Sequence, residues 1–270
     1  MEFAWFKGHG TENDFVLLPD HDGTLHGDLD PAFVAALCDR RRGLGADGVM
    51  RVVRCTALGH NSPAEWFMDY RNADGSTSQM CGNGIRVFAR HLLEQGLVEG
   101  PEFPVDTRDG LKFLSVEDDL LSVDMGAWTT GAHTKVAANG QAWEALEVHT
   151  GNPHAVAFVD SLADAGTLVE APRHDESVFP EGVNVEFVQR LADRHVAMRV
   201  HERGSGETRS CGTGACATAI ATAKADGQAG PATYRVDVPG GTLHVTVSTD
   251  RTVLTGPAVI VAGGTMEWSA

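Results

Sequence analysis

The chain contains Met80-Cys81-Gly82-Asn83-Gly84-Ile85-Arg86 and, 130 residues further on, Ser210-Cys211-Gly212-Thr213-Gly214-Ala215-Cys216. Both stretches carry a Cys-Gly-x-Gly motif, and an apolar helical pattern follows each of them. Glycines at the start of a helix leave backbone N–H groups open to a ligand, and the positive end of the helix favours a thiolate. The repeated motif therefore predicts two activated cysteines, one in each half of the chain.

The composition indicates a globular protein and argues against two classes of partner. The 270 residues include 37 acidic residues and 21 Lys or Arg residues, which gives a formal net charge of −16. So acidic a chain is not expected to bind nucleic acid or an anionic membrane surface as its main partner. No apolar stretch approaches the roughly 20 residues that a membrane span requires, and the N-terminus does not resemble a secretory signal.

The cysteines do not resemble a disulfide framework, because the chain has five of them, an odd number, over 270 residues. We therefore expect a reducing, cytoplasmic location. Cys38, Cys55 and Cys216 are expected to serve packing. Their spacing lacks the Cys-x-x-Cys pairs of a zinc site, so we expect no bound metal.

The order of the predicted elements indicates an α+β fold with an internal duplication. In each half, strands lead to a polar loop, then to the cysteine motif and then to a helix. The helix begins near Asn83 in the first half and near Thr213 in the second. Asn72 and Glu202 occupy matching positions, each nine residues before its cysteine.

The boundary between the halves is predicted in residues 126–140, which are rich in Thr, Ala and Gly and only weakly periodic. We expect a first domain over residues 1–127, joined by a C-terminal strand over about 262–270. The second domain is expected over residues 128–261.

Two activated thiols suit the inversion of a stereocentre. One thiolate removes a proton from one face of a carbon and the other thiol returns a proton to the opposite face, so both must titrate near neutrality. Two helix N-termini would stabilise the carbanion with fixed dipoles. Because the sequence has neither a dinucleotide fingerprint nor a lysine in the context of a pyridoxal Schiff base, we expect no cofactor.

Polar loop residues are candidates for a binding shell. An asparagine offers both a donor and an acceptor, which suits an amino-acid head group, although turn geometry is the alternative role for any loop asparagine. His154 and Glu202 can each hold a thiol in place, and Arg203 can pair with a substrate carboxylate; solvated surface positions are the alternative for all three. The candidate asparagines are Asn13, Asn72, Asn83, Asn152 and Asn184.

With these motifs the chain resembles the diaminopimelate epimerase family of cofactor-independent amino-acid epimerases. The resemblance runs in family order from residue 10 to about residue 220 and includes both cysteines. The matching motifs are Glu12-Asn13-Asp14-Phe15-Val16, Gly43-Leu44-Gly45-Ala46-Asp47-Gly48, Asn72-Ala73-Asp74-Gly75-Ser76, Cys81-Gly82-Asn83-Gly84-Ile85-Arg86, Gly151-Asn152-Pro153-His154, Val183-Asn184, and the run from Glu202-Arg203-Gly204 to Cys211-Gly212-Thr213-Gly214-Ala215.

The resemblance implies two pseudo-symmetric domains, each a curved mixed β-sheet wrapped around a central α-helix, with the active site in the interdomain cleft. The resemblance also implies that the protein interconverts L,L- and meso-2,6-diaminopimelate, a small-molecule substrate. This reaction serves the synthesis of lysine and peptidoglycan precursors. The enzyme is expected to be a homodimer. Cys81 and Cys211 match the acid/base pair, and His154 and Glu202 match residues that tune the thiols. The matches to substrate-binding positions are Asn13, Asn72, Gly82, Asn83, Asn152, Asn184, Glu202, Arg203, Gly212 and Thr213.

Two positions depart from the family pattern. Many members have a second glycine where this chain has Glu12, so the turn before Asn13 is expected to differ. Many also carry Gln at the position of Gly48, so a substrate contact from that side chain is absent here. Neither departure touches the two thiols.

Three alternatives to a diaminopimelate epimerase remain. A proline or hydroxyproline racemase-type enzyme of the same fold commonly has His where Asn83 stands, and it would racemise proline without acting on diaminopimelate. A redox sensor would close Cys81 and Cys211 into a reversible disulfide. A ligand-binding module would bind diaminopimelate without exchanging its α-hydrogen.

Overall fold

The computed structural model describes residues 1–268, which divide into two compact units. The N-terminal unit contains Met1–Val123 and the segment that starts at Pro257, and the central unit is Asp124–Gly256. Ser269 and Ala270, the last two residues of the C-terminal strand predicted over about 262–270, lie outside the described residues.

The N-terminal unit is built mainly from strands, as the β-branched and aromatic residues of its apolar segments favour. A short 3₁₀ helix, Cys55–Leu58, follows the third strand. In chain order the main elements are β1 (Glu2–Gly10), β2 (Asn13–Pro19), α1 (Pro31–Cys38), β3 (Gly48–Arg54), β4 (Trp66–Asn72), α2 (Gly82–Glu94), β5 (Glu102–Thr107), β6 (Gly110–Glu117) and β7 (Leu120–Gly126).

The central unit has the same character, with a second 3₁₀ helix at Leu162–Ala165. A last strand then returns to the N-terminal unit. The elements are β8 (Thr129–Ala138), β9 (Gln141–His149), β10 (Pro153–Phe158), β11 (Arg173–His174), β12 (Asn184–Ala192), β13 (His195–Glu202), β14 (Gly206–Thr208), α3 (Gly212–Ala225), β15 (Ala232–Val238), β16 (Gly241–Val247), β17 (Thr252–Gly256) and β18 (Val259–Glu267).

The two units have the same order of parallel and antiparallel ladders. In the N-terminal unit the strands follow the order β18-β1-β2-β3-β4-β5-β6-β7, with β2–β3 and β4–β5 parallel. In the central unit the order is β8-β9-β10-β12-β13-β15-β16-β17, with β10–β12 and β13–β15 parallel. This agreement supports the internal duplication, and β18 supplies the strand that corresponds to β8.

Each mixed sheet packs on one buried helix that follows its cysteine motif. In the N-terminal unit α2 contacts β1, β2, β3 and β18, and in the central unit α3 contacts seven strands from β9 to β17. The residues of α3 from Gly214 to Ala223 are all buried. The side chains of this segment are apolar or carry a hydroxyl on every side of the helix, so no charged face needs to remain in water. The α+β fold, with a curved sheet around a helix in each unit, is therefore confirmed.

The predicted boundary region contains a strand. Residues 129–138 of the weakly periodic stretch form β8, which pairs with β9 and, at Val136 and Ala137, with β11. Only two of its ten residues, Thr134 and Val136, are buried, so an alternating apolar pattern is largely missing from its sequence. The compact units divide at Val123 and at Gly256 rather than at residues 127 and 261, and that they act as independent domains stays a prediction.

A buried charge cluster lies in the sheet of the N-terminal unit. Asp69 on β4 accepts a hydrogen bond from Arg51 on β3 at 3.0 Å and one from Arg71 at 3.2 Å, and it also pairs with Arg108. Arg51 and Asp69 are 2% and 1% exposed, and Asp20 lies 3.6 Å from the Arg51 guanidinium. The cluster places three guanidinium groups around one carboxylate that water cannot reach.

The helices of the described chain are short. The longest, α3, has 14 residues, and none of the helices within residues 1–268 is both long and apolar enough to cross a membrane.

Candidate active site

Cys81 and Cys211 occupy the same structural position, each in its own unit. Each is the N-cap residue of a buried helix, with extended backbone angles (φ −138° and −128°), and each Sγ accepts the backbone N–H of a glycine three residues on at 3.3 Å. A Cβ added to Gly84 or Gly214 would come within 3.3 Å of the cysteine Cβ. The glycines therefore let the helix start approach the sulfur closely, as the repeated motif predicts.

The Cys81 thiol lies beside an asparagine that its neighbours hold in place. Its Sγ is 3.8 Å from Asn13 Oδ1, and the Nδ2 group of Asn83 donates to the same oxygen at 3.2 Å. Asn13 in turn donates through its own Nδ2 to Asp47 at 2.7 Å. Because both ends of the Asn13 amide are engaged, its orientation beside the thiol is determined by the surrounding side chains.

Arg86 holds the start of α2 in this arrangement. It was not among the predicted site residues. The side chain is fully buried and donates to the Gly82 carbonyl at 3.0 Å and to Asn83 Oδ1 at 2.9 Å. A Cβ on Gly10 would lie 3.1 Å from the Asn83 carbonyl oxygen. The available signal was a charged residue between the apolar residues Ile85 and Val87.

Asn72 stabilises a turn, which is the alternative to substrate binding for a loop asparagine. Its Nδ2 donates to the Ser76 hydroxyl at 3.0 Å, and its carbonyl accepts the Gly75 N–H at 2.9 Å. The side chain therefore closes the loop that follows β4, and a substrate contact from Asn72 stays a prediction.

The two family departures have local physical reasons. Thr11 and Glu12, at φ 49° and 64°, form the two-residue turn between β1 and β2, where left-handed angles match the twist of the hairpin. A Cβ on Gly48 would lie 2.5 Å from the Arg71 carbonyl oxygen and 2.6 Å from the Tyr70 ring. Any side chain at position 48 would therefore require the backbone to shift.

Cys211 lies in a less accessible and more acidic environment than Cys81. It is 6% exposed, its Sγ lies 3.4 Å from the Thr213 hydroxyl, and the Glu202 carboxyl hydrogen-bonds both the thiol and the Thr208 hydroxyl. Burial raises the pKa of the Cys211 thiol well above its ordinary value of 9.0, and the nearby Glu202 carboxyl raises it further. Burial also raises the pKa of Glu202.

The start of α3 acts against this environment. The Gly214 N–H and the Thr213 hydroxyl lower the pKa of the Cys211 thiol, but burial and the Glu202 carboxyl outweigh them. The surroundings of Cys211 therefore favour its protonated form.

His154 is part of a buried hydrogen-bonded chain. Its Nδ1 lies 2.7 Å from Glu186 Oε1 and its Nε2 lies 2.9 Å from Asn152 Oδ1, and neither His154 nor Glu186 is exposed to any extent. A Cβ added to Gly214 would lie 2.8 Å from Glu186 Oε1, so this carboxyl packs against the start of α3. Glu186 was not among the predicted site residues, although a glutamate in the apolar first half of β12 was a signal.

Asn184 and Arg203 are joined through the backbone. Asn184 Oδ1 accepts the Arg203 N–H at 2.8 Å, which positions the chain just after Glu202. The Arg203 guanidinium donates to the Glu181 carbonyl at 3.0 Å, and the residue is exposed. Its predicted pairing with a substrate carboxylate stays a prediction.

Apart from Asn72, the predicted residues fall into two groups, one in each unit. No group of three or more His, Cys, Asp or Glu side chains within residues 1–268 has the arrangement of a metal site. That the chain works without metal or cofactor stays a prediction. The group of the N-terminal unit is Asn13, Cys81, Gly82 and Asn83, and that of the central unit is Asn152, His154, Asn184, Glu202, Arg203, Cys211, Gly212 and Thr213.

Solved structures show the same fold. A Bacillus anthracis phenazine biosynthesis protein of the PhzF family has a TM-score of 0.75 over 99% of this chain and 100% of its own, at 15% identity. A hydroxyproline epimerase from Agrobacterium vitis has a TM-score of 0.70 over 98% and 92% of the two chains, at 16% identity. At these identities the similarity establishes the fold alone.

Sequence comparison identifies the family. The diaminopimelate epimerase profile matches residues 5–130 and 147–261. A diaminopimelate epimerase of Streptomyces coelicolor is 54% identical, covering 98% of this chain and 95% of its own, and that of Thermobifida fusca is 49% identical over 100% and 99%. The Corynebacterium glutamicum enzyme is 46% identical over 99% of both chains. This chain, with its two helix-capping cysteines, belongs to the diaminopimelate epimerase family.

Proposed function

We propose that this chain interconverts L,L- and meso-2,6-diaminopimelate, without cofactor, with Cys81 and Cys211 as the acid/base pair. The observation that carries the proposal is the repeated site geometry: each Sγ caps a buried helix and accepts a glycine N–H at 3.3 Å. Relatives that share about half of the sequence bear the name of this activity.

The proposed reaction exchanges one proton for another at the α-carbon. A thiolate takes the α-hydrogen as a proton, the electron pair stays on the carbon next to the carboxylate, and the second thiol gives its proton to the opposite face. N–H groups at the helix starts stabilise the negative charge of the intermediate. Because burial keeps Cys211 protonated, Cys211 acts first as the acid and Cys81 as the base; the roles exchange in the reverse direction.

The surrounding residues divide the remaining tasks. Asn13 and Asn83, held by Asp47 and Arg86, would fix the substrate beside Cys81. Glu202 would tune Cys211 through its hydrogen bond to the thiol. The other proposed substrate contacts are Asn72, Gly82, Asn152, Asn184, Glu202, Arg203, Gly212 and Thr213, with His154 as a second tuning residue.

The activity is tested by deuterium incorporation at the α-carbon of diaminopimelate. We expect the purified, reduced protein in D₂O to exchange the α-hydrogen while it converts one isomer into the other. Absence of exchange would refute the proposal. Racemisation of proline, with no action on diaminopimelate, would identify the racemase-type alternative instead.

The proposal includes a cytoplasmic homodimer. Among residues 1–268 no disulfide joins any of the five cysteines, which suits a reducing compartment. In β18, seven of nine residues are exposed, among them Val259 (45%) and Val261 (54%). An exposed strand with apolar side chains favours pairing with another chain, and a second copy of this protein would cover it.

The homodimer is tested by analytical ultracentrifugation. We expect wild type to sediment at twice the chain mass of 28.7 kDa, and Val261→Lys to sediment as a monomer because a charge would be buried at the contact. Val169→Lys is the matched control, since Val169 is an exposed valine (82%) outside β18. A monomeric wild type, or a Val261→Lys variant that remains dimeric, would contradict this assignment.

A further inference from the structure

The Glu186–His154 pair is a polar contact in a place where packing alone would favour apolar side chains. Both residues are completely buried, and a bond of 2.7 Å joins Glu186 Oε1 to His154 Nδ1. Burying two ionisable groups costs free energy unless a specific interaction compensates. If the pair served only to hold the structure together, the fold would have to require a polar contact at this position.

The duplicated unit shows that the fold does not require a polar pair here. In the N-terminal unit β2 and β3 take the place of β10 and β12, and the register of the two parallel ladders puts Phe15 and Met50 where the central unit has His154 and Glu186. A Cβ on Gly84 would meet Phe15 Cζ and Met50 Sδ, each at 3.4 Å. The same chain thus supports one helix start with apolar side chains alone.

The hydrogen bonds of the pair determine where its protons lie. Asn152 Oδ1 can only accept, so the 2.9 Å contact from His154 Nε2 requires a proton on Nε2. Glu186 Oε2, by contrast, is buried and has no hydrogen-bond partner among residues 1–268, which is costly for an ionised carboxylate. Burial raises the pKa of Glu186, although His154 lowers it in part.

The consistent assignment is a neutral one. Glu186 is protonated and donates to His154 Nδ1, and His154 Nε2–H donates to Asn152 Oδ1. The Asn152 amide is then held with its Nδ2 group directed away from His154, as a donor for an incoming acceptor.

We propose that Glu186 is a positioning residue, which acts through His154 to present the Asn152 amide N–H group to a carboxylate of the substrate. This inference rests on the proposed function, because it takes Asn152 as a substrate contact. An amide N–H donor recognises an oxygen anion and disfavours an ammonium group, so the chain of hydrogen bonds would help to orient the two ends of an amino-acid head group.

Two substitutions test this role. Glu186→Gln keeps a donor for His154 Nδ1, and we expect it to retain kcat and KM within about twofold. Glu186→Met copies the apolar residue of the N-terminal unit, and we expect kcat/KM to fall about tenfold or more, mainly through a higher KM, because Asn152 loses its orientation. A Glu186→Gln variant as impaired as Glu186→Met, or a fully active Glu186→Met, would overturn the proposal.

The ring nitrogens of His154 provide a readout that is independent of activity. Long-range ¹H–¹⁵N correlation spectra should show the proton on Nε2 in wild type and Glu186→Gln, and loss of this preference in Glu186→Met. A proton on Nδ1 in wild type would overturn the proposal. If wild type failed to exchange the α-hydrogen, the proposed function would fail, whereas the spectra would still test the Glu186–His154–Asn152 chain. Should Glu186→Met not fold, the near-isosteric Glu186→Gln still decides.

Discussion

Replacing either Cys81 or Cys211 by alanine is expected to abolish epimerisation, because inversion needs one group to take a proton and another to return one. Loss of a general acid or base typically lowers the rate by about 10²–10⁴-fold. In D₂O each variant keeps one thiol, so any residual α-hydrogen exchange should occur without inversion and start from a different isomer in each variant. Circular dichroism would follow epimerisation, and mass spectrometry would follow exchange.

Serine variants separate chemistry from helix capping. Each cysteine is an N-cap whose Sγ accepts a glycine N–H, so alanine is also expected to cost about 1 kcal/mol of stability. Serine can still accept that hydrogen bond, yet its hydroxyl is far too weak an acid to be the base. Cys81→Ser and Cys211→Ser should therefore be stable and inactive.

Cys216→Ala is the matched control, since Cys216 is buried on α3 five residues beyond Cys211. We expect it to remain active. Normal epimerisation by either Cys81→Ala or Cys211→Ala would refute the two-thiol mechanism.

Asp69→Asn is expected to lower the free energy of unfolding by roughly 3–5 kcal/mol, because it removes the buried carboxylate that three guanidinium groups share and leaves Arg51 only the longer contact to Asp20. Urea denaturation at pH 7 measures the loss. Glu65→Gln, which breaks the exposed Arg54–Glu65 pair between the same two regions of the sheet, is the matched control and should cost at most about 1 kcal/mol. An Asp69→Asn variant as stable as this control would contradict the prediction.

The same cluster predicts an acid-dependent loss of stability. Burial alone would raise the pKa of Asp69, but Arg108, Arg71 and Arg51 together hold it below its ordinary value of 3.8. A carboxyl group with a lowered pKa in the folded state stabilises the fold above its ordinary pKa, and this contribution is lost as the pH falls through the folded value. The stability gap between wild type and Asp69→Asn should therefore narrow below about pH 4.

Much of the site could be predicted because its signals are local. The glycines three residues after Cys81 and Cys211 indicate where a helix begins and where its N–H groups are open. Asn13 and Asn152 stand in short polar loops between apolar strands, which marks them as accessible. The strand β8 was not predicted because only Thr134 and Val136 of its ten residues are buried, which leaves little periodic apolar pattern.

Other features could not be predicted because they depend on residues far apart in the sequence. Glu186 and His154 meet only because β10 and β12 pair in parallel, and Asp69 gathers arginines from three segments. A glutamate between apolar residues, as at Glu186, indicates burial, but only the paired strands show which side chain it meets.

The sequence by itself determined the family, the duplicated α+β order and the two cysteines that open the buried helices, since these follow from short motifs and their spacing. Only the tertiary structure decided what surrounds each thiol. Cys211 is buried with Glu202 beside it and a Glu186–His154 pair below the start of its helix, whereas Cys81 stays partly exposed next to Asn13. The physical reason is that solvation and charge at a thiol are set by strands packed around it, and those strands come from distant parts of the chain.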